Sequence, residues 1–247
     1  MSGYGRTQEG SKTSNSSGED PVSDRIIVFT RYPVPGKTKT RLISVLGVRG
    51  AAELQRCMTE DTIKWVLQLR EYRPVSVEIR YEGGRKDLME GWLGMNMSYR
   101  HQGRGDLGQR MSRAFEEAFQ SGMKFVVILG TDCPDLPRGI VETAFRALRQ
   151  SDVVLGPVID GGYYLIGFRN DTFLPKAFEG IHWGSDTVFQ ETFDILEKAG
   201  CSINLLLEWW DVDTLADVKE LFYRNQETHF RSSKTIASLE KYGNILK

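Results

Sequence analysis

Hydrophobic positions along the chain follow two alternating rhythms. Short runs rich in β-branched and aromatic residues cover 26–29, 75–81, 98–101, 125–129, 153–158, 163–168 and 203–207. Segments with apolar residues three and four apart fall between them, at 49–70, 86–92, 107–120, 139–149, 187–198 and 215–223. In the first of these, Ala51, Leu54, Met58, Val66 and Leu69 line one stripe of a helix. The runs 26–29 and 125–129 are apolar without alternation, the pattern of central strands covered on both faces. Strand and helix in turn predict an α/β fold, a three-layer α/β/α sandwich on a mostly parallel sheet. In open sheets of this kind ligands sit beyond the carboxyl ends of the strands, so the informative residues should follow each strand.

Outside this region the pattern fades. Residues 1–23 carry only Met1, Tyr4 and Val22 as large apolar side chains and read as a disordered tail. Residues 24–225 form the predicted domain, and 226–247 read as a polar tail with one weak helix over 236–242. At 247 residues one domain with tails is the natural partition. Lys+Arg at 32 against Asp+Glu at 33 gives no polybasic surface, which argues against nucleic acid as a partner. The longest apolar run is too short to span a membrane, and the start of the sequence has no signal-peptide core. Cys57, Cys133 and Cys201 form no C-x-x-C pair, so neither a disulfide framework nor a thiolate zinc site is expected and a reducing, cytoplasmic setting fits.

Charge becomes informative locally. After the first strand comes Arg31-Tyr-Pro-Val-Pro-Gly36-Lys37-Thr-Lys39-Thr-Arg41, four cations in eleven residues. Gly36 lets backbone approach a ligand, and Lys37, Lys39 and Arg41 offer charge-assisted hydrogen bonds to a di- or triphosphate; the alternative is a solvated basic loop. A P-loop is excluded, because its first glycine would stand where Arg31 does. The strand 125–129 ends in Gly-Thr-Asp132-Cys-Pro-Asp135, where Asp132 is placed to hold a hard divalent cation, Mg²⁺ or Mn²⁺, through oxygen. For Asp135 an Asx-turn or a helix cap is the favoured reading. Asp211-Val-Asp213 follows the strand 203–207, and either acid would complete the cation site, with an N-cap as the alternative for Asp213; Thr214 and Asp217 have capping-box spacing. Gln102-Gly103-Arg-Gly-Asp106-Leu-Gly-Gln109-Arg110 leaves Gly103 and Arg110 as nucleotide contacts once Asp106 and Gln109 are assigned to a cap. Asp160-Gly161-Gly162 is a hairpin turn or a ligand contact. Trp183 stacks on a base or sugar, or fills core. Cys133 and the three histidines read as structural.

In this order the segments R-Y-P-V-P-G-K-T-K-T-R-L, Q-G-R-G-D-L-G-Q-R-M, G-T-D-C-P-D-L-P, D-G-G-Y-Y-L-I-G, I-H-W-G-S-D-T-V and D-V-D-T resemble the glycosyltransferase-A-like "transferase 1, radical-SAM/selenodomain-associated" family of the nucleotide-diphospho-sugar transferase superfamily. The resemblance covers about residues 25 to 223. K-x-K-T-R-L, D-G-G and D-V-D-T are also similar to the 2-phospholactate guanylyltransferases. One departure is Gly184, which stands where Ser or Thr should follow Trp183 directly. The resemblance implies a GT-A fold and a transferase using a nucleotide sugar or a nucleoside triphosphate with a small-molecule acceptor. Glycosyl transfer is the first expectation, nucleotidyl transfer the alternative, and a catalytically silent nucleotide-binding module the third. In either transfer Lys37, Arg41 and Asp132 carry the chemistry. Arg31, Gly36, Lys37, Lys39, Arg41, Gly103 and Arg110 hold nucleotide and phosphate; Asp132, Asp213 and Asp211 hold metal; Asp160, Gly161, Gly162 and Trp183 face acceptor or sugar. Oligomeric state is left open.

Overall fold

The computed structural model describes residues 1, 22–137 and 139–246; most of the predicted N-terminal tail lies outside them. Seven strands, β1 (Asp24–Arg31), β2 (Val75–Glu82), β3 (Ser98–His101), β4 (Phe125–Leu129), β5 (Val153–Pro157), β6 (Tyr163–Arg169) and β7 (Ile203–Leu205), form one sheet in the order β3-β2-β1-β4-β6-β5-β7. All pairings are parallel except those of β6, which runs against both β4 and β5. The mostly parallel three-layer sheet is therefore present. The reversal at β6 has a local cause: Asp160-Gly161-Gly162 turns the chain back directly, with no crossover helix to carry it parallel.

β1 shows how the layers arise. Its successive side chains point to opposite faces. Ile26 and Val28 enter a core shared with α1 (Ile43–Leu69), α2 (Lys86–Leu93) and α4 (Gly139–Leu148), whereas Ile27 and Phe29 enter one shared with α3 (Leu107–Gln120) and α5 (Val188–Lys198). α1 begins earlier than the periodicity implies and is broken at Gly47, whose φ of 70° interrupts the helix.

The C-terminal segment departs most from expectation. Instead of a polar tail, residues after α6 (Leu215–Arg224) pack back onto α1 through α7 (Lys234–Glu240), close to the predicted weak helix. Ile236 and Leu239 are fully buried with Leu54 and Met58 in a third core. Asp61 of α1 accepts from the Lys234 and Thr235 backbone amides and from Thr235 Oγ1, satisfying the first turn of α7.

Candidate functional site

The chain leaving β1 makes the first decisive turn. Lys37 N–H donates to the Val34 carbonyl at 3.0 Å, with Pro35 and Gly36 at the two central positions and Gly36 at φ +80°, the residue choice of a type II turn. Gly36 thus serves the turn, and Lys37 points its side chain to solvent while its carbonyl accepts from Arg31 Nη1. Two residues on, Lys39 holds φ 45° and ψ 48°, the one non-glycine with positive φ among the described residues. Such a conformation costs about 1–3 kcal/mol and persists where surroundings over-determine it. Here it turns a long side chain inward: the Lys39 side chain is 4 % exposed, and its Nζ lies 2.8 Å from Asp132 Oδ1 and 2.7 Å from Asp213 Oδ1.

Asp132 and Asp213 come from the loops after β4 and β7, joined by a hydrogen bond from Val212 N–H to the Asp132 carbonyl. Because both oxygens touch one nitrogen, they lie no more than about 5.5 Å apart, the two distances end to end. Burial alone would depress the Lys39 ammonium, but Asp132 and Asp213 overcome it and hold the group above its ordinary value. Asp213 is raised by burial and pulled further down by Lys39 and Arg41, with a net shift below the usual carboxylate range. Arg41 Nη1 stands 3.7 Å from Asp213 Oδ2 and is mostly exposed.

These residues open onto a cavity of about 620 Å³, which Arg31 and Arg110 also line. Both guanidiniums are held by Glu82 at the end of β2, Arg31 at 2.6 Å and Arg110 at 3.3 Å. Arg110 Nε further donates to the Gly105 carbonyl, and Gln102 spans β1 and β2 by donating to the Thr30 and Arg80 carbonyls. Beneath lies a buried hydroxyl and amide cluster of Thr30, Thr59, Thr131 and Gln55. Sequence reasoning missed Glu82, Gln102, Gln55, Tyr163 and Tyr164, all of which line the cavity. The usable signal for Glu82 was its place at the carboxyl end of a strand.

The structure brings together Arg31, Lys39, Arg41, Arg110, Asp132 and Asp213, and leaves the other candidates out of the lining. Gly103, at φ +89°, is pressed against Arg113, which clamps the loop by donating to the Gln102 and Arg104 carbonyls. Gly161, at φ +91°, passes so close to Asp186 that any Cβ would overlap its carbonyl, while Asp160 accepts from Gly162 N–H; the turn docks β6 onto the segment before α5. Gly184 completes a turn closed by Ser185 N–H on the His182 carbonyl, and this sends Trp183 into the core, edge-on to Tyr163 and against Gly108. Asp211 is half-buried beside the site, its carboxyl pushed up to about 7 by burial and then by Asp160, Asp213 and Asp132. The capping pairs Asp106/Gln109 and Thr214/Asp217 form as the spacing predicts. Asp135 stands in the turn closed by Leu136 N–H on the Cys133 carbonyl, and its buried side chain binds Arg224, Asn225 and Trp209 Nε1. Cys133 is a buried packing residue whose thiol burial pushes well up.

Residues 65–185 match the family described as "Uncharacterized protein conserved in bacteria (DUF2064)". No curated protein matches the chain. Among solved structures, one from Desulfovibrio desulfuricans G20, provisionally named a nucleotide-diphospho-sugar transferase, is 39% identical with a TM-score of 0.84, over 91% of this chain and 96% of that one. A nucleotidyl transferase from Methanothermobacter shares the fold at 15% identity and a TM-score of 0.57, over 84% of this chain and 99% of its own. The 4-diphosphocytidyl-2C-methyl-D-erythritol synthase of Anaerococcus prevotii DSM 20548 does so at 12% and 0.53, over 80% and 95%. With a near full-length relative at 39% identity, the protein belongs to the nucleotide-diphospho-sugar transferase superfamily.

Proposed function

We propose that this nucleotide-dependent transferase binds the diphosphate of a nucleotide sugar in the first cavity and passes the sugar to a small-molecule acceptor. The observation that carries the reading is Lys39, a buried cation in a strained backbone held between two acids that open onto a cavity of nucleotide size. Charge arithmetic adds a requirement. Four cations, Arg31, Lys39, Arg41 and Arg110, face three anions, Glu82, Asp132 and Asp213, leaving one net positive charge against a diphosphate that carries more than one negative charge.

A divalent cation supplies the difference, and the donor set suits Mg²⁺ or Mn²⁺. Asp132 and Asp213 offer hard oxygens close together, both partly exposed to the cavity. Among the described residues no three His, Cys, Asp or Glu side chains form a cage, so substrate phosphate and water would complete the shell. When bound, the cation neutralises charge on the departing phosphate. The chain's own residues do the rest: Lys39 and Arg41 hold the diphosphate as the sugar–oxygen bond breaks, and Arg31 and Arg110, aimed by Glu82, orient the nucleotide. Asp160, beside Asp211, marks the acceptor side.

A second reading, transfer of a nucleoside monophosphate from a triphosphate with release of pyrophosphate, draws support from the K-x-K-T-R-L and D-V-D-T similarity to guanylyltransferases and from the separate Arg31–Glu82–Arg110 cluster. Incubation with nucleotide sugars and with nucleoside triphosphates, with Mn²⁺, separates the two. Nucleoside diphosphate released from a nucleotide sugar is expected; pyrophosphate released from GTP or CTP would replace glycosyl with nucleotidyl transfer. Absence of turnover with metal-independent nucleotide binding would leave a silent binding module.

A further inference from the structure

A second cavity, about 600 Å³, lies on the other side of the loop that carries Asp132. The same loop contributes Asp132 to the first cavity and Asp135, Leu136 and Pro137 to the second. Its walls differ in kind from those of the nucleotide site. Trp65, Trp209, Trp210 and Phe230 give it an aromatic lining, and the Arg224 guanidinium lies 5.3 Å from the Trp210 ring centre.

The polar atoms of this wall are unevenly satisfied. Asp135 is saturated by Arg224, Asn225 and Trp209, and Asp61 by the first turn of α7. Yet among the described residues seven buried side-chain polar atoms find no partner, and three of the seven belong to this one cavity wall: Trp65 Nε1, Arg224 Nη1 and Gln68 Oε1. Arg224 spends Nε and Nη2 on Asp135 and keeps Nη1 unused. An unpaired buried polar group costs about 1–3 kcal/mol, so three in one wall call for a partner. Two are donors and one is an acceptor. The charged groups of the wall, Lys64 and Arg224 against Asp61, Asp135 and Glu220, do not favour an anion.

We propose that the second cavity is a binding site for an uncharged planar heteroaromatic compound presenting a carbonyl acceptor beside an N–H donor, a lactam edge. The rings lie among the tryptophans and Phe230; the carbonyl meets the Arg224 and Trp65 donors and the N–H meets Gln68. The site is independent of which transfer the first cavity performs.

The test uses the whole protein and 2-quinolinone as probe, with N-methyl-2-quinolinone lacking the N–H as its partner. The five tryptophans give five indole N–H signals, assigned by single Trp→Phe variants. Titration of 2-quinolinone is expected to move the signals of Trp65, Trp209 and Trp210 with a Kd of about 1 mM or tighter, and to leave Trp92 and Trp183 in place. The N-methyl probe should bind about tenfold more weakly, and Gln68→Leu should erase that difference, since it removes the amide whose oxygen would accept the N–H. No shift at Trp65, Trp209 and Trp210, shifts confined to Trp183 beside the first cavity, or equal affinity of the two probes for the unaltered protein would each overturn the proposal.

Discussion

Lys39 carries two separable properties, a backbone in the left-handed region and a charge between two acids. Lys39→Met keeps the strain and loses the charge; Lys39→Gly loses both. Nucleotide affinity measured by calorimetry should fall at least about tenfold in each, because a buried charge-assisted contact is gone. Urea titration should nonetheless find the glycine variant more stable than the methionine variant by about 1 kcal/mol, since glycine adopts positive φ freely. Asp132→Ala should abolish Mn²⁺-dependent nucleotide binding while the melting curve stays cooperative; unchanged affinity would remove Asp132 from the site. Glu82→Gln raises the local charge by one, so nucleotide binding should become tighter at low ionic strength and more steeply weakened by salt. Residues such as Lys39 and Asp132 were legible because their chemistry stands out against a neutral chain. Glu82 was not, because an acid at the end of a strand looks like any solvated carboxylate until two arginines from distant segments converge on it. Lys37 misled for the opposite reason: its type suits phosphate, but the turn at Gly36 faces it outward.

Elements are joined here by single buried ion pairs whose partners lie far apart in sequence. Arg224 at the end of α6 reaches back 89 residues to Asp135 after β4. Arg224→Leu would strand a carboxylate that is 2 % exposed, at a cost of about 3–5 kcal/mol in urea titration, and Asp135→Leu in the same chain should recover part of it. A gentler joint lies between β5 and β7, where Asp152 accepts from the Ser202 hydroxyl and backbone N–H, holding its carboxyl below the usual range. A depressed folded-state value stabilises above the ordinary aspartate pKa of 3.8 and is lost as pH falls below it. Ser202→Ala should therefore lower stability at neutral pH and bring its curve toward that of the unaltered protein in acid. The strands and helices themselves were readable, since 26–29 and 125–129 are apolar enough to belong only in the centre of a sheet. The docking of α7 was not, because the residues that receive it, Asp61 and Leu54 among them, sit on a helix whose stripe already had a sufficient explanation. Trp183 likewise could not be placed until Gly184 was seen to turn it inward.

At the scale of the molecule, of positions 37, 39, 41, 132 and 213, expected to converge on one pocket, 39, 41, 132 and 213 line the same cavity and Lys37 stands outside its lining, and the order of the sheet explains the convergence. β1 and β4 are neighbours and parallel, so the loops that leave their carboxyl ends share one edge. Asp213 joins them from the far end of the chain through the Val212 N–H to Asp132 carbonyl bond. Lys39 and its two acids thus draw on three separate stretches of the sequence. Asp213 reaches the cavity only from the loop after β7, so a cut between β4 and that loop would leave Lys39 facing Asp132 alone.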